Sequence, residues 1–181
     1  MVSCWNYLNS SLGVGSRAPL SVDEVLIDVL GFKRPFDEIP FGTFTGNCTL
    51  IKWFAQINKF YGTKGTARIM WKPRGTKPTV GVDEAAAYEM LRTGLLSEDR
   101  AFVYHCENHY FCPVGFEMSP MHPEDAYLAP SEVTKLERWV VMGDFAKGFP
   151  VLQTKKWEDV VTDLECQYPK CFNIRKSELG V

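Results

Sequence analysis

The chain of 181 residues is long enough to bury a core of its own, and 45% hydrophobic with 23% charged residues is the balance of a globular protein rather than a disordered or collagenous one. Twenty basic and 22 acidic residues leave a formal charge of −2, so no global field draws it to nucleic acid or to a membrane surface. No apolar run reaches the ~20 residues of a membrane helix, and the start MVSCWNYLNSSLGVGSR lacks the cationic and apolar segments of a secretory signal.

These features lead us to expect a cytoplasmic or nuclear protein, monomeric and without a membrane partner. In that setting the six cysteines are thiols or metal ligands rather than disulfides. Residues 1–20 read as an irregular segment punctuated by Gly13, Gly15 and Pro19. Ser21 and Glu24 form a capping-box pattern, which predicts a helix over Val22–Leu30 stopped by Gly31. Pro35 and Pro40 exclude regular helix from the stretch that follows. Leu50, Ile51, Phe54, Ile57 and Tyr61 make one stripe at helical spacing, predicting a helix from about Cys48 to Tyr61 with Gly62 ending it. Cys48 lies well off the centre of that stripe.

A strand is expected at 67–72 and a helix over Asp83–Leu96. The second half turns to strands: 100–106 and 109–117 as a hairpin across 107–108, then 126–130 and 137–143. Pro113 requires its strand to be an edge or to carry a bulge. Thr154 is a candidate cap for a last helix whose apolar face is Trp157, Val160, Val161 and Leu164, and 166–181 reads as an irregular tail. Trp53, Trp71, Trp139 and Trp157 are expected in the core. Helices first and strands second indicate an α+β fold, taken as a single domain over 1–181.

The stretch FTGNCTLIKWF places Cys48 at a helix start. Unpaired N–H groups and the positive end of the helix dipole favour a thiolate there. Gly46 permits close backbone approach and Asn47 suits the N-cap, so 46–48 could also hold an oxyanion. A nucleophilic thiol needs a base, and of His105, His109 and His122, His109 opens the run HYFCPVGFE. The competing readings are a buried small residue for Cys48 and a turn histidine bonded to backbone for His109.

A cysteine opening a helix, followed by a distant histidine opening a strand that ends in Gly-aromatic-acid, resembles the papain-like cysteine hydrolases. The likeness is to their bacteriocin-processing branch and covers about residues 44–130. It implies a papain-like fold, with N-terminal helices packed on an antiparallel sheet, and a peptidase or amidase acting on a peptide or protein substrate without a cofactor. Cys48 would attack the carbonyl, His109 would carry the proton, Asn47 would face the oxyanion and Trp53 would line the substrate cleft. The chain departs from that pattern in two places. YLAP has Ala129 where the branch has an acid, leaving Asp125, Ser131 or Glu132 to orient the imidazole, and the oxyanion glutamine is missing from FGTFTGN.

Two rival chemistries draw on other residues. His105, Cys106, His109, Cys112, Cys166 and Cys171 have the ligand types of a zinc site. In a hairpin turning at 107–108, however, Cys106 and Cys112 face opposite ways and would not share an ion, so no stoichiometric zinc is expected. A partial site from Cys166, Cys171 and one strand residue stays open, and the alternative to a hydrolase is a non-catalytic papain-like or zinc-supported protein or nucleic-acid interaction module. From Lys59 to Lys77 the chain carries six cations and no acid, with Phe60, Tyr61 and Trp71 among them. Such a stretch could bind single-stranded nucleic acid weakly; the competing reading, which the net charge of −2 favours, is a solvated loop whose charge is balanced elsewhere. Finally, GNCTLIKWF, VYHCENHYFCPVGFE and WEDVVTDLECQYPKCFNIRK resemble the family named for a basic immunoglobulin-like variable motif. That resemblance implies an intracellular eukaryotic protein without a settled biochemical activity. It does not imply an immunoglobulin fold, because no run of sandwich strands with a Cys–Trp–Cys pattern is present.

Overall fold

The computed structural model describes residues 1–33, 46–75, 77–106, 109–129, 135–146 and 149–165. The chain divides into two compact units, Met1–Ile69 with Glu98–Ala101, and Met70–Ser97 with Phe102 onward.

The first unit is helical. Residues 1–20 are not irregular throughout, since Val2–Asn9 form helix α1, in which Trp5 is fully buried. Gly13, Gly15 and Pro19 do lie in the loop that follows, and the two glycines let that loop pack closely. Residues 10–17 fold back on α1, with Val14 N–H donating to Tyr7 O (2.8 Å) and Arg17 N–H to Asn9 O (3.1 Å). A Cβ at Gly13 would lie 2.5 Å from Tyr7 Cα, and one at Gly15 equally close to Asn9 Cα. Buried Asn6 ties down Leu20 through two 2.8 Å hydrogen bonds.

Helix α2 (Val22–Glu24) opens with the expected capping box, in which Ser21 Oγ accepts from Glu24 N–H and Glu24 Oε2 accepts from Ser21 N–H. It runs on as a π-helical turn over Val25–Val29 and ends at Gly31, φ +72°. Helix α3 spans Asn47–Tyr61 and stops at left-handed Gly62, as its spacing predicts. Its cap, however, is Gly46, so Asn47 is already helical. Phe54 and Ile57 of α3 join Trp5, Leu20 and Val25 in the core. The Trp5 indole N–H donates to Asn58 Oδ1 (3.0 Å), and Asn58 in turn donates to Gly65 O (3.1 Å), which pins the loop after α3.

Residues 67–72 form no strand. That segment buries Trp71, whose indole N–H donates to Val82 O (3.2 Å) in the second unit. Helix α4 (Glu84–Leu95) follows, capped by Asp83 Oδ1 accepting from Ala86 N–H (2.8 Å). The antiparallel sheet has the order β1 (Tyr104–Cys106), β2 (His109–Pro120), β3 (Leu136–Ala146), β4 (Phe149–Lys156).

Cys106 pairs with His109, the expected hairpin register, and the register shifts between Pro113 and Gly115, the bulge that Pro113 demands. The strand expected at 126–130 is replaced by a 3-10 helix over Pro123–Tyr127, with Pro123 in its first turn. Tyr127 is 93% exposed, so there was no apolar face for a strand to bury. Thr154 does not cap a helix; it pairs with Val141 inside β4, a strand missed because its residues are mostly exposed.

Helix α5 (Trp157–Glu165) begins directly after β4 and buries Trp157, Val160 and Val161. These side chains meet Tyr88 and Leu91 of α4, Val140 and Met142 of β3, and Trp71, which stacks on Trp157 at 5.7 Å between ring centroids. Trp53 and Trp139 are only partly buried, contrary to expectation. Helices with a four-stranded antiparallel sheet make the fold α+β. Among the described residues, no helix is long and apolar enough to cross a membrane.

Candidate functional site

Because Phe54, Ile57 and Asn58 fix the inward face of α3, Cys48 falls on its outward face. It is exposed, alongside exposed Lys52, Gln56 and Lys59, so it is not packing material; the buried cysteine of this unit is Cys4. Asn47 is exposed beside it. Trp53 is half-buried, its ring edge-on to Phe32 with centroids 6.0 Å apart. Asp125 lies in the 3-10 helix of the second unit, half-buried, its N–H donating to His122 O. Ser131, Glu132, Cys166 and Cys171 lie outside the described residues.

His109 opens β2 in the second unit, and its acidic partner is one the sequence reading did not name. His109 Nε2 is 2.6 Å from Asp144 Oδ1 near the end of β3. The imidazole side chain is 50% exposed and the carboxylate only 8%. Gln153 of β4 donates to the second carboxylate oxygen (3.1 Å). Burying a carboxylate is costly unless donors surround it, and here an imidazole and an amide do so. The Phe111 ring meets the imidazole edge-on at 4.5 Å. A signal for Asp144 did exist: an antiparallel pairing of 109–117 with 137–143 carries the end of the later strand back to the start of the earlier one.

On the same sheet face, Asp163 of α5 gathers three donors: Tyr104 Oη (2.7 Å), Lys155 Nζ (3.2 Å) and Cys106 Sγ (3.3 Å). Burial alone would raise the Asp163 carboxyl, but these hydrogen bonds outweigh it and hold the group below its usual range. Burial pushes up the Cys106 thiol, with Asp163 adding to the effect, so this cysteine is a hydrogen-bond donor rather than a thiolate. Burial likewise lowers His105, which faces the other way and stacks on Tyr110 at 4.3 Å. Among the described residues, no three His, Cys, Asp or Glu side chains are grouped to hold a metal ion.

The basic run divides between the units: Lys59, Lys64 and Arg68 belong to the first, Lys72, Arg74 and Lys77 to the second. Lys52, Lys59, Lys64 and Arg68 are exposed, and none forms an ion pair among the described residues.

A family model described as "Basic immunoglobulin-like variable motif-containing protein" matches residues 1–181. Curated proteins of the same description are similar to the whole chain, one from Xenopus laevis at 45% identity over 181 residues and one from Homo sapiens at 43% over 185. In both cases the chain covers 36% of the relative, so it spans about a third of their length. A relative from Giardia intestinalis is 27% identical over 161 residues, covering 78% of this chain and 59% of that protein. No solved structure matches the chain. The papain-like resemblance finds no support in these comparisons.

Proposed function

This chain belongs to the basic immunoglobulin-like variable motif-containing protein family, and we propose that it serves as an interaction module whose partner is single-stranded nucleic acid, held along the outward face of α3. One observation carries this reading: the charges are segregated although the totals nearly balance. Between Glu38 and Asp83 the sequence holds no acid. Within the first unit, Lys52 and Lys59 share the outward face of α3, and exposed Lys64 and Arg68 follow in the loop that Asn58 pins at Gly65. Phe60, 57% exposed, offers a ring among these cations. Cations follow a phosphate backbone, and an exposed ring stacks on a base without regard to its identity. The acids of this unit, among the described residues, lie elsewhere in the sequence, at Asp23, Glu24, Asp28, Glu98 and Asp99.

Fluorescence anisotropy with a labelled oligothymidylate tests the reading. Binding should be weak, micromolar or poorer, and the double variant Lys59→Glu/Arg68→Glu should lose about tenfold or more, because each phosphate contact carries its own share of counterion release. An unchanged affinity in that variant removes the reading. A loss matched on vesicles of anionic lipid, with no binding of the oligonucleotide, would assign the face to a membrane surface instead.

A further inference from the structure

The pair formed by His109 and Asp144 is built in a way that a strand-end contact does not require. The carboxylate is nearly withdrawn from solvent, while the imidazole it holds stays half open. Two different strands fix the carboxylate, β2 through His109 and β4 through Gln153. The Phe111 ring sets the plane of the imidazole from the side. With Nε2 turned to Asp144, neutral His109 carries its proton on Nε2 and leaves Nδ1 as a free acceptor, and Nδ1 has no partner among the described residues.

We propose that His109, Asp144 and Gln153 form an acid–base site for hydrolysis of a neutral acyl compound, a carboxylic ester in the first instance. His109 is the catalytic residue, Asp144 its positioning residue, and Gln153 fixes Asp144. Nδ1 takes a proton from water as the water oxygen bonds to the acyl carbon. The bond from that carbon to the leaving oxygen then breaks, and His109 returns the proton to the leaving oxygen, giving acid and alcohol. This goes beyond the nucleic-acid reading and does not depend on it, since every residue involved lies in the second unit.

The surroundings favour an acyl group over a phosphoryl group. The Phe111 ring that carries the imidazole also lies 5.5 Å below the Lys155 ammonium, but that cation is already paired with Asp163. Among the described residues, two carboxylates, Asp144 and Asp163, stand beside this one ammonium, which disfavours a dianionic phosphate. A neutral ester meets an apolar ring and a base.

The whole chain with p-nitrophenyl acetate is the test, read as kcat and KM separately, together with the imidazole nitrogen shifts of His109. His109→Ala should lower kcat by about a hundredfold, within the range of general acid–base contributions. Asp144→Asn should lower kcat about tenfold or more with KM unchanged, while the nitrogen shifts move from one tautomer to a mixture. A merely structural pair would change the melting temperature and the tautomer but leave kcat where it was. Should Asp144→Asn fail to fold, Gln153→Ala replaces it, with a few-fold fall in kcat expected and KM unmoved. Turnover in His109→Ala equal to that of the parent chain, or a kcat left unchanged in Asp144→Asn or, in its place, Gln153→Ala, overturns the proposal.

Discussion

Gly13→Ala is the sharpest structural perturbation this chain offers. The added Cβ would sit 2.5 Å from Tyr7 Cα and overlap the Tyr7 carbonyl. Both atoms are backbone of α1, so no rotamer change can relieve the clash, and the loop has to lift. Lifting it breaks the bonds that hold residues 10–17 down: Val14 N–H to Tyr7 O, Arg17 N–H to Asn9 O, and Ser11 N–H to Arg17 O. At roughly 1 kcal/mol each, the loss is about 2–3 kcal/mol, a large fraction of the stability of an ordinary domain. Urea unfolding followed by tryptophan fluorescence reads it, because Trp5 lies fully buried in this unit. Gly46→Ala is the control: nothing stands within 4 Å of its added Cβ, and the change should stay below about 1 kcal/mol. Equal effects at the two glycines would refute the packing of residues 10–17 on α1.

Two further outcomes follow. Cys48, exposed at the start of α3, should react with iodoacetamide faster than buried Cys4 in peptide-mapped rates. The thiol–imidazole proposal drawn from the sequence adds that His109→Ala slows Cys48; a rate that ignores His109 removes that proposal. Asp163→Asn should cost about 1–3 kcal/mol at neutral pH, because a charged acceptor of three donors is lost. The folded carboxyl lies below its unfolded value, so its stabilisation is present above the unfolded pKa and fades as pH falls through the folded one. The variant's penalty should therefore shrink on acidification in unfolding titrations; a penalty that grows would reverse the assignment.

The helices that announce themselves in the sequence are those with both a period and punctuation. α3 had its stripe and Gly62, α4 had Asp83, and α2 had Ser21 with Glu24. The capping box was readable because both of its bonds are local. α1 was missed because what makes it a helix is not local: Trp5 is buried against α3, and the glycines after it fit the helix surface rather than break a pattern. β4 was missed because an edge strand need not alternate when most of its residues face solvent. His109 was legible as a residue of interest from its strand, whereas Asp144 was legible only through the pairing of that strand with the later one. MGDF carries no motif, and only the register of β2 on β3 brings that carboxylate to the imidazole. The papain-like resemblance pointed to Asp125, Ser131 or Glu132 around Ala129; among the described residues, the acid at the imidazole is Asp144 of the next strand.

The salt dependence of oligonucleotide binding tests the proposed role most directly, because it counts contacts rather than merely detecting them. With Lys52, Lys59, Lys64 and Arg68 each neutralising one phosphate, the slope of log K against log salt should be about −2.8, or roughly a 50-fold loss between about 50 and about 200 mM. Charge reversal of Lys59 and Arg68 should bring the slope to about half that value. A slope near zero, or one that these substitutions leave unchanged, would contradict a phosphate-binding face on α3.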